Sequence, residues 1–422
     1  NVDVLASGGD YADGTEYTFL RAEGGIVGTF DGVADNLIFL SAALAYDDNN
    51  ARLILTRNDK GFASVGATPN QVATATAIEA QGVGNALYDR VLTYDGADAQ
   101  HAFDQLSGEV YATSQNATLR TSQASVGIAR DQAQAGIARL GDTSNGGNGS
   151  SAWSSAGGAM GTIQGDGNAA SAAFSAGNLF FGADTVFNDS WVFGAMGGAG
   201  NMHVSVPERA SIANVQTVMG GVYGGGSFDN TTVKFGASAG VNQTQVTRAI
   251  IIPGLAEGVE GARSGATLQA FGEVGHQFVF DSGLIIEPFA NLAHTSLWTG
   301  EYSENGSVSG LTGSSAYSSL TSITLGVRGE HGFTIGTIEA KASAGIGWSQ
   351  PLGSNTPTAT HAFDGGQQFT VSGSSAQAGV ASIEAGLDLK ISDSFNMGFN
   401  YDGSLGEGVQ QHALKAELSL QF

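Results

Sequence analysis

The chain has no cysteine, which excludes a disulfide scaffold and any thiolate-ligated metal centre. The same absence suits a polypeptide that crosses an oxidising periplasm without becoming cross-linked. Basic residues are few: 16 against 39 acidic ones, for a formal charge of −23. That sign argues against nucleic-acid binding, which needs a basic footprint, and suits a surface exposed outside a cell. No apolar run reaches the 18 or so residues of a transmembrane helix. No signal peptide is visible, and a start at Asn1 rather than Met reads as the C-terminal part of something longer. Catalytic signatures are missing too. There is no H-E-x-x-H, no Walker A and no nucleophile elbow, and the seven His are scattered. No catalytic residue, metal or cofactor is therefore expected. Proline is rare, with 6 residues, and glycine abundant, with 64.

What is present is patterning, in four zones. Residues 1–58 hold short apolar clusters between Gly, Asp and Asn, the spacing of strands in a sandwich, a barrel or a β-solenoid. Residues 68–112 turn helical. Thr68 is a candidate N-cap with Pro69 at the first helical position, and Phe103, Leu106 and Val110 share one face of a second helix. A third helix, over 113–141, is rich in Ala, Gln and Ser and carries Arg120, Arg130 and Arg139. Helices this polar are solvated linkers, unstable, or seated in a polar, protein-lined environment. The linker "DTSNGGNGSS" (142–151) ends the zone.

From residue 151 onward there is only strand patterning, in about twelve segments. In 338–348, Ile338, Ala340, Ala342, Ala344, Ile346 and Trp348 oppose Glu339, Lys341, Ser343, Gly345 and Gly347. At the end, Leu414, Ala416, Leu418, Leu420 and Phe422 oppose Lys415, Glu417, Ser419 and Gln421. Alternation alone fits any antiparallel sheet with one wet face. Three features point instead to a membrane barrel. Tight turns such as "FNDSW", "FDNTT" and "ISDSF" alternate with longer connections near 247–264, 299–319 and 350–376. The apolar stretches have the length of a tilted membrane strand, with Trp191, Trp298, Trp348, Tyr401 and Phe422 near their ends. And almost all helical material precedes residue 142, leaving nothing but lipid to cover an apolar face.

The residues also resemble a known family. "FFGADTVF" (180–187), "IEPFANLAH" (286–294), "ITLGVRGEH" (323–331), "GLDLKISDSFNMGFNYDGSLG" (386–406) and "ALKAELSLQF" (413–422) look like the translocator domain of bacterial autotransporters, the type V secretion proteins. Upstream, "TPNQVATA" (68–75) and "FDQLSGEVYATSQ" (103–115) resemble the segment joining passenger to translocator, and "RLILTRND" (52–59) the last rung of a β-helical passenger. The resemblance implies an all-β transmembrane fold: a 12-stranded antiparallel outer-membrane barrel with an α-helix through its pore. It implies four units: 1–60 as the C-terminal, autochaperone-like part of a passenger, 61–116 as a helical junction, 117–150 as pore helix and linker, and 151–422 as barrel. The implied job is secretion and surface display of the protein's own N-terminal passenger from the bacterial outer membrane. Implied partners are that passenger, outer-membrane lipid and lipopolysaccharide, periplasmic chaperones and the barrel-assembly machinery, with no nucleic acid and a monomeric state. That machinery would read the final strand at Leu418, Leu420 and Phe422. A passive porin-like channel and a barrel-anchored adhesin remain as alternatives.

Topology supports the pore helix independently. With an even strand count and the C-terminus in the periplasm, strand one also starts there, so a segment must run inward from the surface. At about 1.5 Å per residue, roughly 20–25 residues of helix suffice to cross the barrel. Strand parity makes Asp184, Glu273, Glu287, Arg328, Glu339, Lys341, Glu384, Asp388 and Glu417 lumen-facing, along with Lys234, Lys390 and Lys415. Arg130 and Arg139 are expected to pair with lumen carboxylates and hold the plug. Some members of the family release their passenger by asparagine chemistry. Here Asn116 reads as a capping or surface residue, so the passenger is expected to stay attached or to be cut by another protease.

Overall fold

The computed structural model describes residues 1–5, 13–140, 149–353, 356–374 and 379–422. The linker expected at 142–151 lies mostly outside the described residues. Five short strands come first: β1 (Val2–Val4), β2 (Glu16–Arg21), β3 (Val33–Asp35), β4 (Leu40–Tyr46) and β5 (Asn50–Arg57). β1 runs parallel to β3, while β2, β5 and β4 form an antiparallel sheet.

Four helices follow, three of them started by side-chain caps that satisfy otherwise unpaired N–H groups. α1 (Pro69–Glu79) is capped by Thr68, which accepts from the Gln71 N–H, as the sequence predicts. Asn85 caps α2 (Ala86–Val91) and Asp95 caps α3 (Gly96–Leu106). The single helix expected across 98–115 is broken. Gly108 takes a φ of +68°, and a Cβ there would stand 2.6 Å from Leu311 Cδ1. A left-handed residue ends one helix and redirects the chain into the next. α4 (Val110–Ile137) therefore starts earlier than the sequence suggests and runs 28 residues.

The barrel begins with β6 (Ser150–Ile163), β7 (Ala172–Phe187), β8 (Trp191–Val206), β9 (Ser211–Phe228), β10 (Thr231–Ile252) and β11 (Leu255–His276). Then come β12 (Phe278–Val279), β13 (Leu284–Thr299), β14 (Tyr302–Asn305), β15 (Leu311–Gly313), β16 (Ala316–Ile335) and β17 (Ile338–Leu352). The chain ends with β18 (Thr358–Phe363), β19 (Gln368–Ser372), β20 (Val380–Lys390), β21 (Phe395–Gly406) and β22 (Val409–Gln421). β6 to β11, β13, β16, β17 and β20 to β22 form the closed 12-strand antiparallel barrel. β22 pairs back onto β6, with Leu414 opposite Gly158, and the Phe422 N–H donates to the Ser150 carbonyl at 3.0 Å.

The two rims differ. One has tight turns, and Asn188 and Asp189 both take positive φ, the geometry of a primed hairpin turn. At the other rim the expected loop at 247–264 is mostly strand. β10 and β11 run on as a tall hairpin turned by Pro253 and Gly254, because an antiparallel ladder satisfies its own backbone whether lipid or water surrounds it. The connections at 299–319 and 350–376 likewise carry β14, β15, β18 and β19. Along β22, Leu414 is 67% exposed on the outer wall, while the Lys415 side chain on the inner face is only 8% exposed. Val222, Val241, Leu325 and Ile346 continue the outward apolar band on other strands, which only hydrocarbon covers.

Candidate functional site: a plugged pore

α4 enters the barrel from the long-connection rim and descends toward the tight turns. Its 28 residues span about 42 Å, more than a hydrocarbon core. The seat is asymmetric. Ile128, Ala129 and Ala133 share a buried cluster with Trp153, Phe180, Met196, Met219, Tyr223 and Phe271. Small residues permit this approach: a Cβ on Gly136 would stand 2.6 Å from Val192, and one on Gly225 would stand 2.9 Å from Ile137. The glycine run at 220–228 thus lies within β9, where its missing side chains make room for the helix end. Gly236–Gly240 has the spelling G-A-S-A-G but sits wholly inside β10, not in the strand–turn–helix of a nucleophile elbow.

Ionic contacts hold the lower half of the helix. Arg130 meets Glu384 at 3.0 Å and its neighbour Asp131 at 3.2 Å. Asp131 in turn accepts from Lys415 at 2.6 Å, and Lys415 reaches Asp402 at 3.0 Å. Gln132 donates to Glu417 at 3.3 Å. Arg139 pairs with Asp184, which also accepts from the Tyr223 hydroxyl at 2.7 Å. The geometry thus brings Asp184, Glu384 and Glu417 to the helix.

The other inward charges pair along the wall. Lys234 meets Glu273 at 3.1 Å and Glu287 at 3.7 Å, and Arg328 pairs with Glu273 while stacking on Phe289. Lys341 lies 3.4 Å from Glu330 and 3.5 Å from Asp388. Glu339 reaches Lys390 at the rim, at 3.5 Å. Beside the helix, a cleft of about 810 Å³ opens among Glu330, Lys341, Asp388 and Glu417. Sequence reasoning missed Asp402 and Asp131. Asp402 continues the inward series Asn396, Gly398 and Asn400, a signal within reach. Asp131 has no periodic signal, because its partner lies on a distant strand.

The upper end of α4 is clamped above the membrane. Tyr111 stacks on Tyr302 with ring centroids 3.8 Å apart, and Arg263 donates to the Tyr111 carbonyl at 2.7 Å. Arg248 grips Glu304 in a bidentate pair at 2.8 and 2.6 Å. His361 contacts Tyr302. Burial, together with the Arg248 and Arg263 charges, holds its imidazole down at about 3, so it is neutral at physiological pH. Glu109, just before α4, accepts from the Ala170 N–H at 2.9 Å and pairs with Arg209 at 3.2 Å. Burial nevertheless pushes its carboxyl above the usual carboxylate range, since desolvation outweighs these partners.

Asn116 is buried. Its amide nitrogen donates to the Ser374 carbonyl at 2.7 Å, and its oxygen accepts from Arg120 at 3.1 Å. Self-cleavage would require that nitrogen to attack the residue's own carbonyl carbon, away from both partners.

A closed antiparallel barrel with a helix through its lumen defines an outer-membrane protein plugged by its own chain. The autotransporter β-domain model matches residues 152–402, and the chain belongs to that family. It is an outer-membrane translocator that carries its own passenger to the cell surface. The translocator barrel is itself non-enzymatic. Over 97% of its length the chain is 24% identical to an extracellular serine protease of Serratia marcescens, of which it spans 43%. The translocator domain of the autotransporter NalP from Neisseria meningitidis shares the fold at a TM-score of 0.58 and 16% identity. That match covers 75% of this chain and all of the other.

Proposed function

We propose that α4 is the tail of the passenger held in the pore as a permanent plug, and that residues 1–60 are the passenger's C-terminal end at the cell surface. In this reading 61–116 is a junction seated on the outer mouth, 117–150 the plug and its return linker, and 151–422 the barrel. The observation that carries it is the threading of α4, bound to the wall through Arg130–Glu384 and Arg139–Asp184 and continuous with the N-terminal strands. Lys341 and Asp388 line the polar cleft beside the helix, while Glu273, Glu287 and Arg328 pair with Lys234 and one another along the wall. Any enzymatic activity of the whole protein resides in the passenger; kinship with an extracellular serine protease supports a secreted enzyme there.

An epitope at Asn1 is expected to be accessible to antibody on intact cells, with the extracted chain at full mass and no new N-terminus at Ala117. Shielding of the epitope in cells that contain folded barrel would sink the display reading, and a fragment starting at Ala117 would sink the intact-chain reading.

The partners belong to the same proposal: a monomer in lipopolysaccharide-bearing membrane, delivered by periplasmic chaperones and inserted by the barrel-assembly machinery, with no nucleic acid bound. Leu418, Leu420 and Phe422 project outward at the closing strand, where that machinery can reach them. Deleting Phe422 is expected to cut the yield of heat-modifiable barrel about tenfold, because a terminal aromatic at the interface is lost. Unchanged yield in a gel-shift assay of membranes would remove the assembly role.

A further inference from the structure

We propose that the outer wall of β8 to β10 carries a binding site for the uncharged sugars of an outer-leaflet glycolipid, a site that rests on the outer-membrane location given above. Six side chains form two rows on that wall. Asn201 stands opposite Gln216, and Gln216 opposite Gln243. One step further from the periplasmic turns, His203 stands opposite Asn214, and Asn214 opposite Gln245. All six are exposed, while Met202 and Val215 between them are buried against the lumen side. A depression of about 360 Å³ opens among all of them but Gln243, over Gly177 of β7, which has no side chain to fill it.

Height places these rows at the headgroups. Asn201 lies ten positions along β8 from Trp191 at its tight-turn end. At about 3.4 Å per residue and a tilt of about 40°, that climbs about 26 Å, the height of an apolar band. Just beneath the rows the band is present: Val218 and Val241 are 62% and 64% exposed, and Trp298, opposite Ala266, marks the interface. Above them, Ile250 and Ile252 of β10 share a core with Phe103 and Leu106 of α3, so the wall there has left the hydrocarbon.

Chemistry selects the headgroup. The chain has 39 acidic residues, yet neither row holds a carboxylate, a Lys or an Arg; Glu260, opposite Thr247, stands one step higher. A phosphate alone would draw such cations. His203 Nδ1 bonds Asn214 Oδ1 at 2.9 Å, and the Ser264 hydroxyl donates to Gln243 at 3.0 Å. The amides of Asn201, Gln216 and Gln245 have no hydrogen-bond partner among the described residues. Each offers two donors and an acceptor in one plane, which suits sugar hydroxyls that both donate and accept. The site is one-sided. Ten positions along β6 and β21 on the far wall stand Met160 and Leu405, both exposed and apolar. A lipid anchored in the band and carrying sugars at this level fits β8 to β10 and not that wall.

The test extracts the whole protein from outer membranes in mild detergent and measures, by native mass spectrometry, the lipopolysaccharide and phospholipid carried with it. Gln216→Ala with Gln245→Ala is expected to lower retained lipopolysaccharide roughly tenfold, the loss of two hydrogen-bonding groups, with retained phospholipid unchanged. Gln410→Ala, which removes an exposed amide on the far wall, is expected to change neither. Every variant should keep the wild-type heat-modifiable band, because each substituted side chain is on the surface. Wild-type retention in the double variant, an equal fall in both lipid classes, or the same fall in the Gln410 variant would overturn the sugar site while leaving the translocator standing. A wild-type barrel missing from the outer-membrane fraction would overturn both.

Discussion

Glu304→Ala is expected to unfasten the outer cap from the barrel, at a cost of about 3–5 kcal/mol, because it leaves a buried guanidinium without its counter-charge. Arg248 is 1% exposed, and Glu304 supplies both of its ionic contacts. The same carboxylate accepts from the Leu311 N–H at 2.9 Å and the Tyr111 hydroxyl at 3.1 Å. Arg248 reaches onward to the Gln105 carbonyl at 3.2 Å. One residue thus ties β14, β10, β15, α4 and the end of α3 together. Limited proteolysis in increasing urea should show residues 62–110 cut at lower denaturant, while the barrel band persists. The paired change Arg248→Met with Glu304→Leu should be milder, since both charges leave together and the remaining cost is the acceptor lost by the Leu311 N–H and the Tyr111 hydroxyl. An Ala variant that resists protease as the wild type does would show that the pair is not the fastening.

Replacing both Arg130 and Arg139 by Ala is expected to free the lower half of the plug without releasing its upper half. The two pairs differ in burial. Asp184 is fully buried and Glu384 about a quarter exposed, so the Arg139 contact carries more and the Arg130 contact is partly screened by water. A combined loss of about 2 kcal/mol raises the displaced fraction of the helix about 30-fold. The Asp131–Lys415 pair and the packing of Ile128, Ala129 and Ala133 on one wall remain, so the displaced state gains population without becoming the dominant one. Single-channel recordings in planar bilayers should show frequent larger openings in place of the wild-type closed level. Conductance identical to wild type would mean that packing alone seats the helix.

Much of the barrel was legible in the sequence, for a simple reason. A strand in lipid has a period of two and a solvent on each side of opposite polarity, so every residue's side is written locally. That is why Leu414, Leu418 and Phe422 could be placed outward and Glu417, Glu384 and Asp184 inward from parity alone. The Thr68–Pro69 start of α1 was legible for the same reason, since a cap is a local device. The cap over the mouth was not. Residues 247–264 lack clean alternation because the hairpin there has left the lipid and packs on helices, and its apolar residues answer to a core rather than to a membrane.

By itself, the sequence determined the class of fold, the side on which the alternating strand residues lie, and the existence of a polar helix before the barrel. These follow from periodicity, composition and turn residues acting over a few positions. Only the tertiary structure decided which lumen charges meet the helix and which pair with each other. It also decided that Gly108 turns the chain into the pore, and that the outer hairpins and junction helices share one core. The contacts that seat the helix on the wall join residues 45 to nearly 300 positions apart, such as Arg139 with Asp184 and Lys415 with Asp131. Pairing over such distances is set by barrel closure and strand register, which no local pattern encodes.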